Sequence, residues 1–168
     1  RDYLIEKLDK DKSYLVLILG GPNKYYDYTD QNLTKVFNQV RKVLEENKLQ
    51  MIAIPSMRTP NKIIDLANDY FGKEHLVIKN VDKKAYLSGL SLAKYIIVTC
   101  DSTSMISEAA LTGKPIYIAE IPAKKNDYRF KNFRELFSRL NIIKNLNEKL
   151  EIWNYESLDE TNRIAKEI

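Results

Sequence analysis

The hydrophobic positions of the chain fall into two alternating patterns. Residues 14–19 form an unbroken apolar run that stops at Gly20-Gly21-Pro22. A run of that length reads as a strand covered on both faces. Leu33, Val36, Phe37, Val40, Val43 and Leu44 then recur at three- and four-residue spacing, the stripe of an amphipathic helix capped by Thr29 or Asp30. A second strand at 51–54 ends at Pro55. Thr59 is placed to cap a helix whose first residue is Pro60, with Ile63, Ile64, Ala67, Tyr70 and Phe71 inward and Gly72 as its C′ residue. Residues 75–78 read as a short third strand. A weaker helix over 83–94, interrupted by Gly89, would turn Tyr86, Leu87, Leu90 and Ala93 inward.

Strands at 95–99 and 116–119 flank a helix over 104–112 that stops at Gly113. Phe130, Phe133, Phe137 and Leu140 mark a further helix, and 141–144 a short sixth strand. Asp159 is the expected cap of a terminal helix with Ile164, Ala165 and Ile168 inward, and Trp153 and Tyr155 pin the segment before it. Strands separated by helices predict repeated βα units. The expected fold is an α/β, Rossmann-like three-layer sandwich with a mostly parallel sheet of about six strands. All 168 residues are expected to form this one domain, without repeat or linker.

Composition narrows the function classes. The chain is 44% apolar and 30% charged, a globular balance. No apolar run approaches the roughly 20 residues of a membrane span, and the charged stretch over 1–11 is no signal peptide. A single cysteine, Cys100, excludes an internal disulfide framework, and a single histidine, His75, excludes a Cys/His zinc pattern. A cytosolic or cytosol-facing location is expected. The 27 basic and 23 acidic residues leave a formal charge of +4. That mild excess favours phosphate-bearing ligands or an anionic surface without specifying either. Aromatic and basic residues are not interleaved as nucleic-acid stacking requires, so no nucleic-acid partner is expected. The chain opens on Arg1 rather than Met and reads as a piece of a longer protein.

A parallel sheet binds ligands beyond the carboxyl ends of its strands. Three loops there carry candidate chemistry. After the first strand, Gly20 and Gly21 allow close backbone approach, and Lys24 can meet a phosphate or carboxylate. After the second, Ser56 supplies a hydroxyl and Arg58 a guanidinium fork. After the fourth, Asp101, Ser102, Thr103 and Ser104 precede a helix whose free N–H groups suit a diphosphate. Glu108, one turn deeper, is placed to accept ribose hydroxyls. Each loop also has a plainer reading, as a tight turn, a capped turn or an N-cap cluster. Serine hydrolysis is disfavoured, because there is no G-x-S-x-G elbow and His75 lies outside these loops. Cys100 reads as a small strand-end hydrophobe. No catalytic residue and no metal-ligand cluster is identified.

Taken in order, Leu19-Gly20-Gly21-Pro22, Pro55-Ser56-Met57-Arg58-Thr59-Pro60, the run from Val98 to Ala110, and Thr112-Gly113-Lys114-Pro115-Ile116-Tyr117 resemble the mitochondrial-fission elongated-mitochondria-type family and its bacterial relatives. The Lys131-Asn132-Phe133 region and the segment from Trp153 to Thr161 fit as well. The resemblance implies the carboxyl-terminal half of a GT-B-type glycosyltransferase fold. It further implies a nucleotide-diphosphate sugar as donor substrate, no required cofactor, and a missing amino-terminal domain that completes the site. By position, Ser102, Thr103 and Ser104 would sit by the diphosphate, Glu108 by the ribose, and Gly20 and Gly21 along the interdomain cleft. The fragment alone is expected to be inactive. A plant member associated with recruiting a fission protein to the mitochondrial outer membrane implies the alternative: a non-catalytic module with a protein partner or a peripheral membrane surface. The glycine fingerprint of NAD-dependent sugar epimerases, GxxGxxG, is absent.

Overall fold

Two strands that are apolar at nearly every position can be stable only between two layers of helices. That is how the chain is built. A computed structural model describes residues 2–147 and 149–157. After a short helix α1 (Asp2–Ile5), β1 (Ser13–Leu19) and β2 (Leu49–Pro55) lie at the centre, buried from Tyr14 to Leu19 and from Leu49 to Pro55. α2 (Asp30–Asn47) joins them. Thr29 caps it by accepting from Asn32 N, and all six stripe residues are buried. Removing each such side chain from water contributes roughly 1.5–3 kcal/mol.

α3 (Asn61–Phe71) pairs with α2 through the Phe37, Tyr70 and Phe71 rings. Here two expectations are corrected. The N-cap of α3 is Pro60, not Thr59, because the Thr59 hydroxyl is drawn inward to the β1 loop. Gly72 ends the helix with φ −63°, so no left-handed C′ turn forms. β3 (Leu76–Val77) is only two residues long.

α4 (Lys83–Leu92) is capped by Asp82. Its buried side comprises Ala85, Ser88, Gly89 and Leu90, while Tyr86 is partly exposed and Leu87 is 54% exposed. The helix is thus rotated from the expected face. Gly89 explains the rotation: a Cβ there would stand 2.8 Å from Ile54 Cδ1, so the glycine lets α4 lie directly on β1 and β2. β4 (Ala93–Thr99), α5 (Thr103–Ala110), β5 (Ile116–Ala119), α6 (Tyr128–Arg139) and β6 (Ile143–Asn145) complete the order. Only Phe137 of α6 is fully buried, and Leu140 is exposed rather than inward. Trp153 Nε1 donates to Asn141 O and Tyr155 Oη to Lys114 O, pinning the last described segment as expected. The helix expected after Asp159 lies outside the described residues.

All six strands are parallel, in the order β3-β2-β1-β4-β5-β6. The chain runs outward from β1 through β2 to β3, then returns to the other side of β1 with β4. The strand order therefore reverses between β1 and β4. In register, Leu19 stands beside Pro55 and Ile18 beside Val98, so the three central strands end nearly flush. The loops after β1, β2 and β4 leave from one place. Among the described residues, no helix is long and apolar enough to cross a membrane.

Candidate functional site at the switch point

The three candidate loops meet at the reversal of strand order, where open parallel sheets receive ligands. Gly20 N donates to Thr99 Oγ1 at 2.9 Å, joining the β1 loop to the end of β4. Gly21 N donates to Asp101 Oδ2 at 3.3 Å. Arg58 Nη2 donates to the same oxygen at 3.0 Å and to Ser102 Oγ at 3.3 Å. Tyr28 Oη donates to Asp101 Oδ1. Thr59 Oγ1 accepts from Ser56 N at 2.8 Å and directs its proton at the carbonyls of Leu19 and Gly20. The glycines are what permit this convergence. A Cβ on Gly21 would lie 1.9 Å from the Arg58 carbonyl oxygen, and one on Gly20 2.3 Å from Asp101 Oδ2.

Asp101 and Ser102 are each only 1% exposed. Their polar atoms are turned to the neighbouring loops, and they hold the crevice together from inside. Burial, and then the Asp101 carboxylate, push the Tyr28 hydroxyl above the ordinary tyrosine range, so Tyr28 stays a donor. Ser102 occupies the N-cap position of α5, yet its hydroxyl caps nothing. The first N–H groups of α5 therefore have no side-chain cap, and a helix always leaves its first N–H groups without intrahelical partners.

Two hollows flank α5. The larger, about 840 Å³, runs between α4 and α5; Ser56, Met57, Tyr86, Leu87, Met105 and Glu108 are among its lining residues. The smaller, about 460 Å³, is lined by Tyr25, Thr103, Ser104, Ser107, Arg129, Phe130 and Phe133. Of the residues expected at the diphosphate, Thr103 and Ser104 line the smaller hollow and the buried Ser102 lines neither, while Glu108, expected at the ribose, lines the larger; the two hollows adjoin along the same short helix. Lys24 is exposed, its Nζ 5.3 Å from the Tyr25 ring centroid. Lys24 and Arg58 line neither hollow.

Some site residues had no signal in the sequence. Tyr28 and Tyr86 lie on elements whose proximity to Asp101 and Glu108 depends on strand order. Tyr86 Oη donates to Glu108 Oε2 at 2.5 Å. Arg134 Nη1 donates to both Tyr26 Oη and Cys100 O at 2.9 Å, and Asp127 accepts from Tyr26 at 2.7 Å, bracing the end of β4 and the loop after β1 against α6. Cys100 is buried, and burial pushes its thiol up to about 11, as a packed strand-end residue. Among the described residues, no group of three or more His, Cys, Asp or Glu is placed to hold a metal ion.

This architecture is shared with known proteins. A solved structure of S. aureus MnaA with UDP matches 99% of this chain and 39% of its own, with TM-score 0.63 and 15% identity. At that identity the likeness shows the fold, a Rossmann-like α/β sandwich of the GT-B type. In sequence, the chain is 30% identical over 162 residues to the uncharacterized protein RP120 of Rickettsia prowazekii, covering 92% of this chain and 46% of that protein. It is 24% identical over 162 residues to mitochondrial fission protein ELM1 of Arabidopsis thaliana, covering 94% of this chain and 37% of that one. The chain therefore spans about half the length, or less, of these relatives. The profile of one family matches residues 3–168, and by that match the chain belongs to the Mitochondrial fission ELM1 family.

Proposed function

We propose that the chain is the donor-binding half of a longer GT-B-type protein and that it holds a nucleotide-diphosphate sugar. One observation carries the reading. Glu108, an exposed carboxylate, stands one turn beyond the uncapped start of α5, on the rim of the larger hollow and beside the switch point. The first-turn N–H groups and the positive end of α5 suit a diphosphate. Glu108 suits ribose hydroxyls, and the apolar walls of the α4–α5 groove suit a flat base. The UDP bound by the structurally similar MnaA supports the same class of ligand. In this reading the domain positions the donor and stabilises the departing diphosphate electrostatically, and the group that activates an acceptor lies across the cleft. The missing glycine fingerprint bears only on NAD-dependent epimerases; what happens to the held sugar is set by that opposite half.

Calorimetric titration of the full-length protein with nucleoside diphosphates and nucleotide sugars tests the proposal. Saturable binding that Glu108→Ala weakens about tenfold supports it. Absence of binding across the panel would move the weight to the second reading, a non-catalytic module that docks a protein partner. The exposed apolar rim of the groove, with Met57 90% exposed beside Val81, Leu87 and Leu111, favours that alternative.

A further inference from the structure

Resting on the donor-site reading, we infer that Tyr86 is a positioning residue that sets the ribose selectivity of the α4–α5 groove by fixing the carboxylate of Glu108. The two side chains come from different helices, 22 residues apart in sequence, and meet at 2.5 Å between Tyr86 Oη and Glu108 Oε2. Both line the same hollow. An exposed glutamate samples many rotamers, and ordering it during binding subtracts from affinity. Tyr86 orders it beforehand.

The contact also divides the work of the two carboxylate oxygens. Oε2 is occupied by the tyrosine proton, and Oε1 accepts no hydrogen bond from the described residues. An ionised carboxylate only accepts hydrogen bonds, so what it selects is a donor, and a ribose offers two adjacent hydroxyls. Burial first, and then the bond to Glu108, push the Tyr86 hydroxyl above the ordinary tyrosine range, so it stays protonated at every working pH. The groove is also lined by Asp82, Lys83 and Lys114; Asp82 Oδ1 is engaged in capping α4 and Lys114 Nζ donates to the Leu90 and Ser91 carbonyls, whereas Glu108 is the carboxylate held from the facing helix. Discrimination is thereby concentrated at Glu108, and its sharpness depends on how firmly Tyr86 holds it.

The test titrates the full-length protein with ADP, GDP, CDP and UDP and with the 2′-deoxy and 3′-deoxy form of each. The preferred ribonucleotide is expected to outbind at least one of its deoxy forms by about tenfold. Tyr86→Phe, which removes one oxygen and keeps the ring, is expected to shrink that ratio about fivefold by weakening the ribonucleotide alone. Glu108→Ala is expected to abolish the ratio. If Tyr86→Phe weakens ribo and deoxy forms equally, or changes neither, the positioning role is overturned while the donor site stands. If the parent protein binds none of the nucleotides, both the donor reading and this inference fall.

Discussion

Arg58 and Asp101, 43 residues apart, meet at 3.0 Å between Nη2 and Oδ2, with the carboxylate fully buried and the guanidinium side chain 44% exposed. The pair ties the loop after β2 to the loop after β4, and Gly21 and Tyr28 complete the shell around Asp101. Asp101→Ala leaves the buried Gly21 N–H and the half-buried Tyr28 phenol without an acceptor. It is expected to cost about 2–3 kcal/mol, a fall of roughly 4–12 °C in Tm. Thermal unfolding followed by circular dichroism checks this. An unchanged Tm would mean that the loops are held by packing alone.

The close approach of the loops at Gly21 has its own consequence. Gly21→Ala puts a methyl group into the Arg58 carbonyl, which is backbone and cannot swing aside. Overpacking of this kind costs about 1–3 kcal/mol, and ligand affinity should fall with it because the crevice opens. Urea unfolding and nucleotide titration of one variant read both effects.

Thr59 separates hydroxyl from shape. Thr59→Val retains the volume but leaves the Gly20 carbonyl and its neighbours without their buried partner. The expected loss is about 1–3 kcal/mol, whereas Thr59→Ser should keep most of the stability. A loss in Thr59→Ser with none in Thr59→Val would instead assign the effect to the methyl group.

Stability should fall on both sides of a neutral plateau. Burial raises the Cys100 thiol from 9.0 to about 11 and the Tyr155 hydroxyl from 10.0 to about 12. Both bind their protons more tightly in the folded chain, so their contributions are intact below about pH 9 and are lost as pH rises through 11 and 12. On the acid side, burial holds His75 below its usual 6.5, and hydrogen bonding from Tyr26 holds Asp127 below 3.8. Those contributions are present above these values and decline as pH falls. Urea midpoints at pH 5, 7.5 and 10.5 should peak at 7.5. Native Cys100 should also resist thiol reagents at pH 8 until the chain unfolds.

Periodicity made the layers readable. The stripe from Leu33 to Leu44 and the continuous runs of β1 and β4 dictate burial by themselves, and the three strand-end loops were identifiable once a parallel sheet was inferred. What local pattern could not supply was rotation and proximity. Leu87 has a core residue's chemistry, but the close contact of Gly89 with Ile54 turns it outward. Thr59 has a cap's chemistry and position, yet two carbonyls across the β1 loop compete for its hydroxyl. Asp101 and Ser102 looked open at a helix start and are buried, because Arg58 reaches them from β2. Tyr86 and Glu108 could be paired only after α4 and α5 were placed side by side.

The most direct test of the donor-site account is amide chemical-shift mapping of the ¹⁵N-labelled full-length protein during titration with nucleoside diphosphates. The account predicts saturable shifts at Thr103, Ser104 and Met105 at the start of α5, together with Tyr86 and Glu108 in the groove. Shifts that leave those amides untouched, or no saturable shift with any nucleotide, would contradict it.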